Sequence, residues 1–199
     1  MQRKGKSKFW LTLGLLFIII GLLCFLCPFY QEKKDEQIEH HKLEQFFEEQ
    51  TPYEEVKVEE VKEDNPYFAV IEIPKIHLKK GLYAINHPYN DVDYNIMILK
   101  ESNMPDQLQG NFMVAAHSGT GRNAYFNQLH ELELGDFASI YYHGVQYIYQ
   151  VTKIYHVEKT GFVSIHRNMN ETTLTMITCD QTNQQMVIIA TQVEKFPYQ

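Results

Sequence analysis

The chain has 199 residues, 44% of them apolar, which is room for one modest domain plus a membrane segment. Its formal charge is −7 at pH 7, and once the four basic residues at its start are set aside, 14 Lys and Arg face 25 Asp and Glu. That balance argues against nucleic acid or an anionic membrane surface as a partner.

In chain order, the first eight residues form a basic N-terminus with Arg3, Lys4, Lys6 and Lys8. Residues 9–29 (Phe9 to Phe29) are uncharged and overwhelmingly apolar, about the length that crosses a bilayer as a helix. Glu32, Asp35 and Glu36 follow. This charge asymmetry predicts a single-pass anchor with a cytoplasmic N-terminus and the rest of the chain extracellular. A cleaved signal peptide is the rival reading, but its apolar core would be shorter, and no small-x-small site follows Cys27-Pro28.

Residues 30–65 are Glu-rich and poor in large apolar side chains, the texture of a solvated spacer. Glu36 to Glu49 has helical potential, and Thr51-Pro52 should end it. From residue 66 to 199 the texture changes to short strand-like segments split by turn residues. These are Phe68 to Ile73, Leu78 to Ala84, Ile96 to Leu99, Phe112 to Ala116, Phe137 to Tyr142, Val145 to Tyr155, Leu174 to Thr178 and Met186 to Val193. Eight such strands with little helix between them predict a closed or nearly closed, antiparallel-rich β-barrel, so the fold class is all-β. His143-Gly144 reads as a tight turn. Tyr125, Phe126, Leu129 and Leu132 recur at three- and four-residue spacing, which predicts a short helix with a buried face.

Of the three cysteines, Cys24 and Cys27 fall inside the apolar run, where they read as small apolar residues. Cys179 is left outside with no partner for an intrachain disulfide. It ends a β-branched, apolar segment, Leu174 to Thr178, just before a polar turn opened by Asp180. A thiol at a strand end is held by the sheet and can face a cleft as a nucleophile, but it needs a basic partner. Among nine histidines, His117 alone combines a strand end with a small-residue loop, Ser118-Gly119-Thr120-Gly121.

The run Thr175-Met176-Ile177-Thr178-Cys179 and the strand-end His117 together resemble sortases, the cell-wall cysteine transpeptidases of mainly Gram-positive bacteria. Their nucleophile signature is Thr-Leu-x-Thr-Cys. Met176 stands where the family has leucine, a swap that conserves apolar volume. The resemblance extends over about Tyr67 to Val193, through Ile71-Glu72-Ile73-Pro74-Lys75-Ile76 and the segment from Ala124 to Asp136. It implies an eight-stranded β-barrel in which Cys179 is the nucleophile and His117 the general acid and base.

The implied substrate is an LPXTG-like sorting signal of a surface protein or pilin, and the implied acceptor a peptidoglycan precursor or other amine. Thr178 is implied to support the site, by hydroxyl or backbone contact to substrate. The short segment from Val157 to Thr173 matches the loop that lines the sorting-signal pocket, as in class A or class D relatives rather than class B. No cofactor is needed, and the scattered acidic residues nominate no calcium ligands. Phe46, Phe47 or Tyr53 could dock on the domain as a lid, because some relatives carry such N-terminal appendages.

One feature departs from the family. Sortases carry an essential arginine on the strand after the cysteine, and this chain has only Arg3, Arg122 and Arg167. Counting back from Ala190-Thr191, Gln185 occupies the arginine position. Three readings stay open: Gln185 acts as a neutral donor, Arg122 or Arg167 reaches into the site from its loop, or the protein is a slow or non-catalytic, peptide-binding relative. A cysteine peptidase that only hydrolyses the signal is a further alternative.

Overall fold

The computed structural model describes residues 4–49, 65–179 and 184–198, with side chains from residue 13 onward. Tyr53 and Asp180 lie outside the described residues. The chain divides into two compact units, Met1–His41 and Lys42–Gln199.

Helix α1 (Lys4–Glu49) runs without interruption through Pro28 and makes up the described part of the first unit. Its large apolar side chains from Leu15 to Phe29 are exposed, and the helix is long and apolar enough to cross a membrane.

The second unit is an eight-stranded, nearly closed β-barrel. Its strands are β1 (Tyr67–Ile73), β2 (Leu78–Tyr83), β3 (Met97–Ile98), β4 (Asn111–Ala115), β5 (Phe137–Tyr142), β6 (Val145–Glu158), β7 (Thr173–Cys179) and β8 (Gln184–Pro197). They join in the order β2-β1-β5-β6-β8-β7-β4-β3. All eight strands anticipated from the sequence are present, and every pairing is antiparallel except β4 with β7. His143 and Gly144, with φ of 49° and 74°, form the tight turn between β5 and β6, where glycine takes the left-handed conformation at little cost.

Side chains alternate across β7 and β8 in the usual two-residue period. Leu174 and Met176 of β7, with Met186, Ile188 and Ala190 of β8, face the barrel core. Ile177, Val187 and Ile189 face outward into a second apolar cluster, roofed by Val163 and Ile165 of the β6–β7 loop. Cys179 and Gln185 continue that outward row.

Buried polar groups fix how β4 and β7 slide against each other. Asn111, 6% exposed, accepts hydrogen bonds through Oδ1 from the hydroxyls of Thr173 (2.9 Å) and Thr175 (2.8 Å), both fully buried. A slip of one residue would orphan both hydroxyls and turn every β7 side chain to the wrong face.

Where a short helix was expected after His117, the chain instead forms successive turns and one 3-10 turn, Leu129–Glu131. Phe126, Leu129 and Leu132 are buried as anticipated, whereas Tyr125 is only partly so. Their three-residue spacing suits backbone bonds from residue i+3 to residue i, which recur at Ala124 to Gly121, Asn127 to Ala124 and Leu129 to Phe126.

The last residues of α1 belong to the second unit. Phe46 is 3% exposed and clusters with Tyr67, Val70 and Tyr83, and Phe47 meets Tyr141 edge-on at 5.0 Å. Tyr198 stacks on Phe46, and its burial pushes its phenol pKa up to about 12. Lys79 lies over the Phe47 ring at 4.5 Å. This seat is the aromatic outer surface of β1, β2 and β5, so Phe46 and Phe47 brace the barrel and do not form a lid over His117 or Cys179.

Replacing Asn111 by alanine should destabilise the barrel by about 2 kcal/mol, because the buried Thr175 hydroxyl loses its acceptor and the buried Thr173 hydroxyl keeps only a long bond to Gly110 O. Denaturant unfolding of the full chain in detergent, with wild type in parallel, measures this.

Candidate active site

The site follows from the register of three neighbouring strands. In the parallel pair, Asn111 is level with Thr173 and Ala115 with Ile177, and His117 and Cys179 each follow two residues beyond that last pair. In the antiparallel pair, Cys179 is directly opposite Gln185. The two ladders carry His117, Cys179 and Gln185 to neighbouring strand ends.

Three bonds tie the two strand ends together beyond the ladder. The Ala116 N–H donates to Ile177 O at 3.2 Å, the Thr178 hydroxyl donates to Ala116 O at 2.9 Å, and the Ser118 hydroxyl donates to Cys179 O. Thr178 is 5% exposed. Its hydroxyl holds the cysteine strand against the histidine strand. The residue pattern held no sign of Ser118, because its role depends on a neighbour 61 positions away.

Cys179 is half-buried and free, and His117 retains 48% of its side-chain exposure. The His117 Nε2 is 3.0 Å from Oδ1 of Asp93, in the loop between β2 and β3. Sequence reading did not single out Asp93. Gln185 is partly buried, and its Oε1 is enclosed with no hydrogen-bond partner among the described residues.

Arg167 is held away from the thiol. Arg167 donates to the carbonyls of Asn168, Glu171 and Gln109 and lines a cleft of about 450 Å3 with Lys153, His166 and Thr191. Thr191 pairs with Thr173, at the opposite end of β7 from Cys179, so Arg167 pins the β6–β7 loop and does not reach the thiol. Arg122 is exposed on the loop that follows His117. Among the described residues no group of three or more His, Cys, Asp or Glu side chains is arranged to hold a metal ion.

A thiol and an imidazole on adjacent strand ends of a small barrel are the two groups that cysteine-dependent acyl transfer requires. The sortase domain model matches residues 71–193, most of the barrel, and the chain belongs to the sortase family. No curated protein sequence matches this chain.

Solved structures agree in fold. A Clostridium perfringens sortase D5 transpeptidase is 23% identical with a TM-score of 0.60, over 79% of this chain and 99% of that one. A lid mutant of sortase A from Corynebacterium diphtheriae is 21% identical with a TM-score of 0.58, over 67% and 73%. Sortase C-1 from Actinomyces oris is 20% identical with a TM-score of 0.57, over 72% and 83%.

Losing the Thr178 tie should slow the chemistry before it unfolds the barrel. Thr178→Val is expected to cost about 1 kcal/mol in stability and to slow acyl-enzyme formation severalfold, and Thr178→Ser to do neither. Thermal unfolding and single-turnover mass spectrometry on the same preparations check both halves.

Proposed function

We propose that the protein is a membrane-anchored sortase that cleaves an LPXTG-like sorting signal and transfers the acyl fragment to an amine of the cell wall or of a pilin. The supporting observation is the strand register, which brings together the strand ends that carry His117, Cys179 and Gln185.

The Cys179 thiolate attacks the carbonyl carbon of the scissile peptide bond, forming a C–S bond and an oxyanion. His117 protonates the leaving amine as the C–N bond breaks, giving a thioester and releasing the C-terminal fragment. The incoming amine gives its proton to His117 and attacks the thioester, which restores the thiolate and completes a new amide bond. Proton transfer of this kind contributes on the order of 10²–10⁴-fold to the rate.

Gln185 takes the part that arginine plays in the family, as a neutral amide that meets the substrate backbone or the oxyanion. A neutral donor stabilises an oxyanion less than a charge-assisted one, which predicts a slow enzyme. The apolar Leu99, Ala115 and Ile177, under the β6–β7 loop residues Val163 and Ile165, suit the apolar part of a sorting signal. The basic residues Arg3, Lys4, Lys6 and Lys8 ahead of the apolar run keep the N-terminus cytoplasmic and the barrel outside.

The neutral residue at position 185 also favours a second reading, a barrel that binds sorting peptides without cleaving them. One experiment separates the two. The full chain in detergent is incubated with an LPXTG-type peptide and then with an oligoglycine amine, and its intact mass is followed beside Cys179→Ala.

An adduct absent from the variant and discharged by the amine into a ligated product is the expected result. Discharge to free acid only would indicate a hydrolase, and peptide binding without an adduct would indicate the binding module. Gln185→Ala should lower the rate of adduct formation by about 10²–10³-fold, the usual effect of losing one oxyanion donor.

A further inference from the structure

The β2–β3 loop brings a carboxylate to the one histidine of the site, and it does so on a braced backbone. Asp93 Oδ1 is 3.0 Å from His117 Nε2. The Asp93 N–H donates to Asp91 Oδ1 at 2.9 Å, and Asp91 O receives the N–H groups of Tyr94 and Asn95.

Each end of this turn is fastened to the barrel by an asparagine. Asn95, 1% exposed, donates to Gly81 O at 2.8 Å. Asn90 donates to Ile85 O and Ile98 O and accepts the N–H of Ile98 at 2.7 Å. From the other side Asn123, on the loop after His117, donates to the Asp93 carbonyl at 2.5 Å. The histidine loop and the aspartate loop are thus bonded to each other twice, once through backbone and once through the imidazole.

An exposed ion pair contributes little to stability, and Asp93 is 77% exposed at its side chain. Its bond to His117 has a different consequence. A ring nitrogen bonded to a carboxylate must carry the proton, which leaves the other nitrogen as the base. The carboxylate also opposes the positive charge that the ring takes on at each proton transfer, in a site where no arginine follows the cysteine.

We propose that Asp93 is a positioning residue for His117: it holds the proton on Nε2, presents Nδ1 to the reacting groups, and offsets the imidazolium charge in a site lacking the family arginine. This rests on His117 being the acid and base of the proposed reaction.

The test uses the full chain in detergent, carrying Asp93→Ala or Asp93→Glu, with two readouts. In single-turnover acylation by an LPXTG-type peptide, Asp93→Ala should lower the maximal rate about tenfold and leave the half-saturating peptide concentration within about twofold. Asp93→Glu should recover most of that loss, and the melting temperature should be the same in all three proteins.

The second readout needs no activity. In Cys179→Ala protein with ¹⁵N-labelled histidine, held about two pH units above the ordinary histidine range, the His117 ring should show one protonated Nε2 and one unprotonated Nδ1. Adding Asp93→Ala should narrow the difference between the two ring shifts as the tautomers mix, and His117→Gln identifies the signals.

An acylation rate unchanged by Asp93→Ala, or ring shifts unmoved by it, would overturn the proposal. A wild-type chain that forms no adduct would instead count against the transpeptidase reading, and the ring shifts would still decide the role of Asp93.

Discussion

The candidate site depends on one constraint, the register of β7 between a parallel neighbour and an antiparallel one. The side-chain period along a strand is two, so a register either brings His117, Cys179 and Gln185 to one face or separates all three. The buried bonds from Thr173 and Thr175 to Asn111 set that register at one end of the pair. Thr178 and Ser118 hold it at the other. The polar groups that specify the geometry therefore bracket an apolar centre, where Val114, Met176 and Ile188 supply burial without specifying alignment.

This arrangement explains why a thiol on a strand end can be both rigid and accessible. The backbone of Cys179 is fixed by hydrogen bonds on two sides, but its side chain ends an outward row on which the β6–β7 loop rests only farther along, at Ile177, Val187 and Ile189. The loop is itself clamped: the Tyr155 phenol donates to Ser164 O and accepts the N–H of His166, and Lys153 donates to His166 O. Precise placement of the reacting groups is thus inherited from the sheet, and the space available to a peptide is shaped by a loop anchored to the same sheet.

Much of this was legible in the sequence. Short strand-like segments split by turn residues located all eight strands, and strand-end chemistry singled out Cys179 and His117. The segment after His117 reads as helical because turns with bonds between residues i+3 and i share the three-residue spacing of a helix face. Thr178 belongs to the motif, but only the parallel pairing reveals that its hydroxyl faces Ala116. Asp93 left no trace, since a lone aspartate in a turn acquires meaning only when tertiary packing brings a histidine loop against it. Arg167 looked available for the site and proved to be spent on three backbone carbonyls.

The register itself can be measured by crosslinking in a full chain whose Cys24 and Cys27 are replaced by alanine. Adjacent strands bring level residues within disulfide reach, while residues one position along point to the opposite face. Under mild oxidation His117→Cys should therefore form a disulfide with Cys179, seen as the loss of two hydrogens in the intact mass, and Ala116→Cys should not. Crosslinking through Ala116→Cys and not His117→Cys would mean that β4 and β7 pair out of this register and that the imidazole and the thiol do not share a face.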